Sequence, residues 1–194
     1  MRKLSASELM SLEQYARERS QFRARLIEHR RARSLKLGEH CSWSFEDRLT
    51  VQYQIQEMLR AERIFEAAGI TEELEVYNPL IPDGANLKAT LMLEYPEREE
   101  RVRRLAELRG FERHCWMRVA GFEPLYAIAD EDLAREDTEK TSAVHFLRFE
   151  FTPPMLAAAR SGAALAAGVD HPHYNFSADP LPASLRTALM ADFD

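Results

Sequence analysis

One stretch, Arg48–Ala68 (RLTVQYQIQEMLRAERIFEAA), constrains what this chain can fold into more than any other. Placed on a helix at about 100° per residue, Val51, Ile55, Met58 and Phe65 share one stripe, with Glu62 in the middle of it. Leu49, Tyr53 and Ile64 lie opposite, and Glu57 and Arg60 stand among them. Only Gln52, Gln56 and Arg63 form an evenly polar strip. A helix on a protein surface shows one apolar face. Two such faces predict a central helix over 48–68, covered on both sides, capped by Asp47 at its start and ended by Gly69. Its charged residues then lie away from water, where an unpaired charge is strongly destabilising. Glu57 and Arg60 have the spacing to pair with each other. Glu62 requires an arginine or tyrosine from elsewhere, a bound divalent metal, or a proton held by a raised pKa. Tyr53, Glu57, Arg60 and Glu62 are therefore the catalytic candidates, set against the alternative of a purely structural ion-pair network.

The length, 194 residues, suits one domain, 1–194, with an N-terminal helical segment at 5–33 and a C-terminal helix at 181–193. No apolar run approaches the length of a membrane span, and MRKLSASELMSLEQ lacks the apolar core of a secretory leader. Cys41 and Cys115 are far apart and form no C-x-x-C pair, which fits a reducing cytoplasm. The net charge of −6 is uneven: Arg17–Arg33 holds seven arginines against two glutamates, a local +5 that leaves −11 on the remainder. An acidic chain without aromatics interleaved in its basic run argues against nucleic-acid binding. Arg23, Arg25 and Arg30 of that run can grip an acidic partner; the plainer reading is a solvated helix face.

Along the chain, Ser5 and Glu8 have capping-box spacing at the head of a short helix over residues 5–16, and a second helix follows around Ser20–Arg33. Leu35–Phe45 alternates with period two and reads as a strand or a hairpin broken at Gly38-Glu39. Residues 70–78 make one or two helical turns, stopped by Pro79 and Pro82. Leu87–Tyr95 is a second alternating segment, and Pro96–Arg109 a charged helix ended by Gly110. Glu112–Ala120 and Phe122–Ala129 read as a hairpin, and Asp130–Lys140 as an exposed acidic loop. Val144–Phe151 is a further strand, Pro153 opens a helix to Arg160, and Ala163–Val169 is either a buried strand or a helix end. The sum is α+β: a mostly antiparallel sheet of about five or six strands, packed with helices around the central buried helix.

Gly168–Tyr174 (GVDHPHY) is the most pointed local motif. His171 and His173 can ligate a metal as H-x-H with Asp170 beside them, although spacing dictates no third ligand and Pro172 bends the segment. The alternative is a polar turn. No E-x-x-H pair, phosphate loop, dinucleotide fingerprint or nucleophile elbow is present. His40, His114 and His145 fall on predicted strands and can converge on one sheet face.

YQIQEMLRAE (Tyr53–Glu62), YNPLIP (Tyr77–Pro82), LKATLMLEY (Leu87–Tyr95), TSAVHFLRF (Thr141–Phe149) and GVDHPHY together resemble the bacterial family "domain of unknown function 3501" over nearly the whole chain. The resemblance carries no established activity and no catalytic residue. Members are often encoded beside rubrerythrin and an iron–sulfur oxidoreductase, which implies a link to peroxide or electron-transfer metabolism. Two readings follow. In the first, the chain is a cytoplasmic accessory protein that docks such a redox partner through Arg17–Arg33 and has no membrane or nucleic-acid role. In the second, it is a metal- or carboxylate-dependent enzyme whose pocket joins Glu57 and Glu62 to Asp170, His171 and His173.

Overall fold

The period-two segments pair into two antiparallel sheets of four strands each, where sequence reading expected one sheet of five or six. The computed structural model describes residues 1–129 and 140–193; the acidic stretch 130–139, read as an exposed loop, lies outside the described residues. In the first sheet β1 (Ser34–Leu37) and β2 (Cys41–Phe45) form a hairpin, and β3 (Asn86–Leu93) and β6 (Val144–Glu150) extend it in the order β1-β2-β3-β6. Gly38 turns that hairpin at φ +70, a left-handed conformation that costs a residue with a Cβ about 1–2 kcal/mol. The second sheet runs β5-β4-β7-β8, from β4 (Cys115–Val119), β5 (Leu125–Tyr126), β7 (Leu165–His171) and β8 (Tyr174–Ala178).

The sheets face each other because both present one apolar side. Trp43, Phe45, Leu91 and Phe149 of the first meet Cys115, Met117, Leu165 and Val169 of the second in one buried cluster. The flanks are closed differently. On one side Ile128 and Arg148 exchange backbone hydrogen bonds of 2.8 and 2.9 Å, linking the chain after β5 to β6. On the other, the Tyr174 hydroxyl donates to the Leu37 carbonyl at 2.7 Å and accepts the His40 amide at 3.1 Å. One phenol thus ties β8 to the β1–β2 turn.

Helices cover the outside. α1 (Leu12–Arg31) is a single helix where two were expected, capped by Ser11, whose hydroxyl accepts the Gln14 amide. α2 (Arg48–Glu62) starts as read, with Asp47 accepting the amides of Leu49 and Thr50 at 3.0 Å. It stops early. Arg63 takes the left-handed conformation, φ 56 and ψ 41, and a new helix, α3 (Ala67–Tyr77), carries Gly69 inside its first turn. The central helix over 48–68 is therefore corrected: Val51, Ile55 and Leu59 form a small separate core with Leu4, Leu74 and Ile81, beside the sandwich rather than within it. The lower half of the predicted stripe never forms, and Phe65 is 71% exposed. The strip read as polar surface is partly interior. Gln56 is fully buried and holds the Met10 backbone through both ends of its amide, at 2.6 and 3.3 Å. α4 (Arg98–Glu107), α5 (Pro153–Arg160) and α6 (Ala183–Met190) complete the helices. No helix among the described residues is long and apolar enough to cross a membrane.

Candidate functional site

The register brings one end of both sheets together. Leu37 lies opposite Cys41, Cys41 opposite Leu93 and Met92 opposite Val144; in the second sheet Cys115 lies opposite Val169 and His171 opposite Tyr174. Through the Tyr174–Leu37 bond these ends meet, and five of the six histidines, His40, His114, His145, His171 and His173, gather there. The convergence foreseen for the strand histidines is thus at a sandwich end, not on one sheet face.

Asp170 is the hub of that end. Its Oδ2 accepts the Tyr126 hydroxyl at 2.6 Å and its Oδ1 lies 3.0 Å from His114 Nδ1. A carboxylate only accepts, so His114 donates from Nδ1 to Asp170. Donation to Asp170 also pushes the Tyr126 hydroxyl up from its ordinary pKa. Neither His114 nor Tyr126 was singled out as a partner of Asp170, because strand pairing across fifty residues leaves no local mark.

His171 stands next to this pair, its ring edge-on to His114 at 4.9 Å between centroids. It is buried, and both ring nitrogens are engaged: Nε2 faces the Arg109 carbonyl at 3.3 Å, and Nδ1 accepts the His173 amide at 3.2 Å. Burial first, then the neighbouring histidines, lowers its pKa. A neutral imidazole with its lone pair already used is a poor metal ligand. The motif is a tight turn, Pro172-His173, between β7 and β8, and His173 is exposed on it. Among the described residues no group of three or more His, Cys, Asp or Glu side chains is placed to hold a metal ion. The donors present do not fit the H-x-H metal site.

The carboxylates of α2 lie elsewhere. Glu57 receives a two-pronged grip from Arg19, Nε to Oε1 and Nη2 to Oε2, both 2.7 Å, and the Tyr15 hydroxyl donates to Oε1 at 2.7 Å. Arg60 adds a looser contact at 3.4 Å, the predicted pairing. Tyr53 packs edge-on against Phe22 at 5.6 Å and makes no contact with Asp170 or the histidines. Hydrogen bonding from Arg19, above all, holds the Glu57 carboxyl down at about 2. Glu62 is corrected outright: it is exposed at the last position of α2, and its charge helps burial to raise the pKa of Glu73. Among the described residues Glu57 is held by Tyr15 and Arg19 of α1 and by Arg60 of α2, whereas Asp170 is held by His114 and Tyr126, so Glu57 and Glu62 share no pocket with Asp170, His171 and His173.

The Glu57 cluster stitches α1 to α2 and has a pH signature. Its folded pKa lies below the ordinary 4.5, so its contribution is complete above pH 4.5 and is lost as pH falls toward 2. Glu57→Gln should cost about 1–2 kcal/mol at neutral pH and flatten the acid limb of stability, followed by urea unfolding at a series of pH values. An acid limb identical to that of the parent would show that the cluster adds nothing.

The run of arginines divides on inspection. Arg19 is spent on Glu57, Arg31 pairs with Glu28 at 2.8 Å, and Arg33 is buried. Arg30 is half-buried, and its Nε has no hydrogen-bond partner among the described residues. Arg23 and Arg25 are exposed on α1 and have no carboxylate partner among the described residues. Ile27, 47% exposed, lies two residues beyond Arg25 on the same helix.

A family model described as "Protein of unknown function (DUF3501)" matches residues 3–193. A crystal structure of a protein of unknown function from Burkholderia pseudomallei K96243 is 47% identical, with all of both chains covered and a TM-score of 0.93. No curated protein matches the chain.

Proposed function

The chain belongs to the DUF3501 family of proteins of unknown function, and on that premise we propose that it is a cytoplasmic accessory protein that docks an acidic redox partner, an iron–sulfur oxidoreductase or rubrerythrin, through α1. The observation that carries this reading is the pair Arg23 and Arg25: exposed, unpaired among the described residues, and set in a chain whose net charge is −6. Within the run Arg19 and Arg31 are matched to carboxylates and Arg33 is buried, whereas Arg23 and Arg25, with Arg17 on the same helix, stand exposed. Charge complementarity of this kind governs encounter rate and orientation and is screened by salt. The partner's identity rests on the gene neighbourhood that the family resemblance implies.

The test uses the purified chain with a purified rubrerythrin and a purified iron–sulfur oxidoreductase from the same organism. Binding should fall about tenfold or more between low and physiological salt, and the double variant Arg23→Glu, Arg25→Glu should weaken it at least as much while leaving thermal stability within about 0.5 kcal/mol of the parent. Salt-independent binding, or no binding to either protein, ends the proposal.

A further inference from the structure

The edges of the two sheets are β1 and β6 in the first and β5 and β8 in the second. An edge strand offers unpaired N–H and C=O groups to any other strand, and proteins blunt such edges by cover, charge, proline or shortness. β6 is met by Ile128, which exchanges backbone hydrogen bonds with Arg148. β5 is two residues long and follows Pro124, which has no amide to offer. β1 is four residues long and carries the exposed Lys36, whose charge an incoming strand would desolvate. β8 has none of these devices. Its five residues hold no charge and no proline, and Asn175, Phe176 and Ser177 are exposed in succession.

The ladder fixes which way the β8 backbone points. In β7, Leu165 accepts the amide of Leu181 in the chain after β8 at 2.7 Å, and Ala164 accepts the amide of Ala120 in the chain after β4 at 2.8 Å. Main-chain groups alternate sides along a strand, so Leu165, Ala167, Val169 and His171 turn theirs toward β8. Ala178, Phe176 and Tyr174 lie opposite the last three in register and are the hydrogen-bonded pairs. The Pro172-His173 turn agrees, closing directly on His171 opposite Tyr174. Asn175 and Ser177 therefore direct both N–H and C=O away from the sheet. Among the described residues neither makes a main-chain hydrogen bond outside the ladder.

We propose that β8 pairs antiparallel with β8 of a second copy of this chain, about a two-fold axis at Phe176, so that the two second sheets continue into each other. The strand is self-complementary in that register. Asn175 of each copy lies opposite Ser177 of the other, and their outward amides and carbonyls form the closely spaced hydrogen-bonded pairs on both sides of the axis. Phe176 takes the non-hydrogen-bonded place opposite itself, where side chains come closest. Its ring, packed on Gly38 yet 45% exposed, gains cover from its counterpart. Beyond the axis Tyr174 falls opposite Ala178, large against small, and His173 opposite Asp179, a base against a carboxylate. No like charges meet across the junction. So short an edge belongs with transient interfaces, and the association depends on concentration. It is separate from the arginine face of α1 and stands whether or not that face docks a partner.

Sedimentation velocity of the purified parent chain, from micromolar to near-millimolar concentration, should show a reversible rise toward twice the monomer mass. Ser177→Pro removes an amide that nothing else in the chain uses; it should weaken association about tenfold or more and leave the thermal unfolding midpoint unchanged. Phe176→Lys and Phe176→Glu each put like charges on the axis and should leave the chain monomeric at every concentration. An equimolar mixture of these two variants should associate again, because only a register that sets Phe176 against Phe176 turns both repulsions into one attraction. The Phe176 pair carries the test if Ser177→Pro does not fold. A parent chain that stays monomeric throughout, a dimer untouched by the variants, or a mixture that fails to associate would overturn the proposal.

Discussion

Arg33→Met lowers stability by about 3–5 kcal/mol, the range for stripping one partner from a buried charged network. Arg33 is 2% exposed at the end of α1. Its guanidinium donates to the carbonyls of Phe45 at 3.1 Å, Glu46 at 3.3 Å and Ala188 at 3.1 Å, and to the buried Asp192 carboxylate, with Asp47 3.5 Å away. It therefore joins the end of β2, the cap of α2 and the C-terminal segment after α6. Methionine fills much of the space and leaves the carbonyls and Asp192 unmatched. The deficit should depend on pH. Burial, outweighing Arg33, pushes Asp192 up to about 6, so Asp192 favours the fold most when protonated and less as pH rises through 6. Without Arg33 that cost grows, so the variant should fare worst above pH 6 and recover partly in mild acid. Guanidinium unfolding at pH 5 and pH 8 measures both points; a loss below about 1 kcal/mol at pH 8 would mean the network is incidental.

Trp43→Ala should be comparably severe, about 3–5 kcal/mol by the cost of truncating a large buried aromatic. Trp43 is fully buried on β2, stacks on Phe149 of β6 at 5.4 Å, and pairs with Leu35 and Leu91 across both neighbouring strands. Its removal opens the first sheet's face toward the second. Phe65→Ala is the matched control, because the same class of truncation falls on a ring 71% exposed after α2. It should move stability by no more than about 0.5 kcal/mol. Equal losses in the two variants, measured by the same unfolding transition, would contradict the burial assigned to both.

That contrast locates what sequence could and could not reveal. Strict alternation marked β1, β2, β3 and β6 to within a residue or two, because a half-buried strand repeats its environment every second position. Local capping chemistry was equally readable at Asp47 and at the Ser5–Glu8 pair. β8 was missed, since Tyr174–Ala178 is mostly exposed and carries little pattern. The division into two sheets was invisible, because pairing partners such as Cys115 and Val169 are more than fifty residues apart. α2 misled for a physical reason. Helical projection assumed continuity through Phe65, whereas the backbone turns at Arg63, and its polar side is covered by the N-terminal arm through Gln52 and Gln56. At the candidate sites Glu57 and Arg60 stand out in sequence as charges needing partners, and Asp170 as a companion of the H-x-H pair. Their companions, His114, Tyr126, Tyr15 and Arg19, come from elsewhere in the chain and could not be named from spacing.

The two flanks of the sandwich differ in what they ask of heredity. Where Ile128 meets Arg148 the closure is main chain to main chain, indifferent to which side chains occupy those positions. Where Tyr174 reaches Leu37 and His40, both hydrogen bonds pass through one oxygen atom at the tip of one side chain, beside the Phe176 ring packed on Gly38. A single nucleotide change that turned this tyrosine into phenylalanine would leave every strand in place and remove both hydrogen bonds of that seam, so one edge of the molecule is more sensitive to inherited side-chain changes than the other.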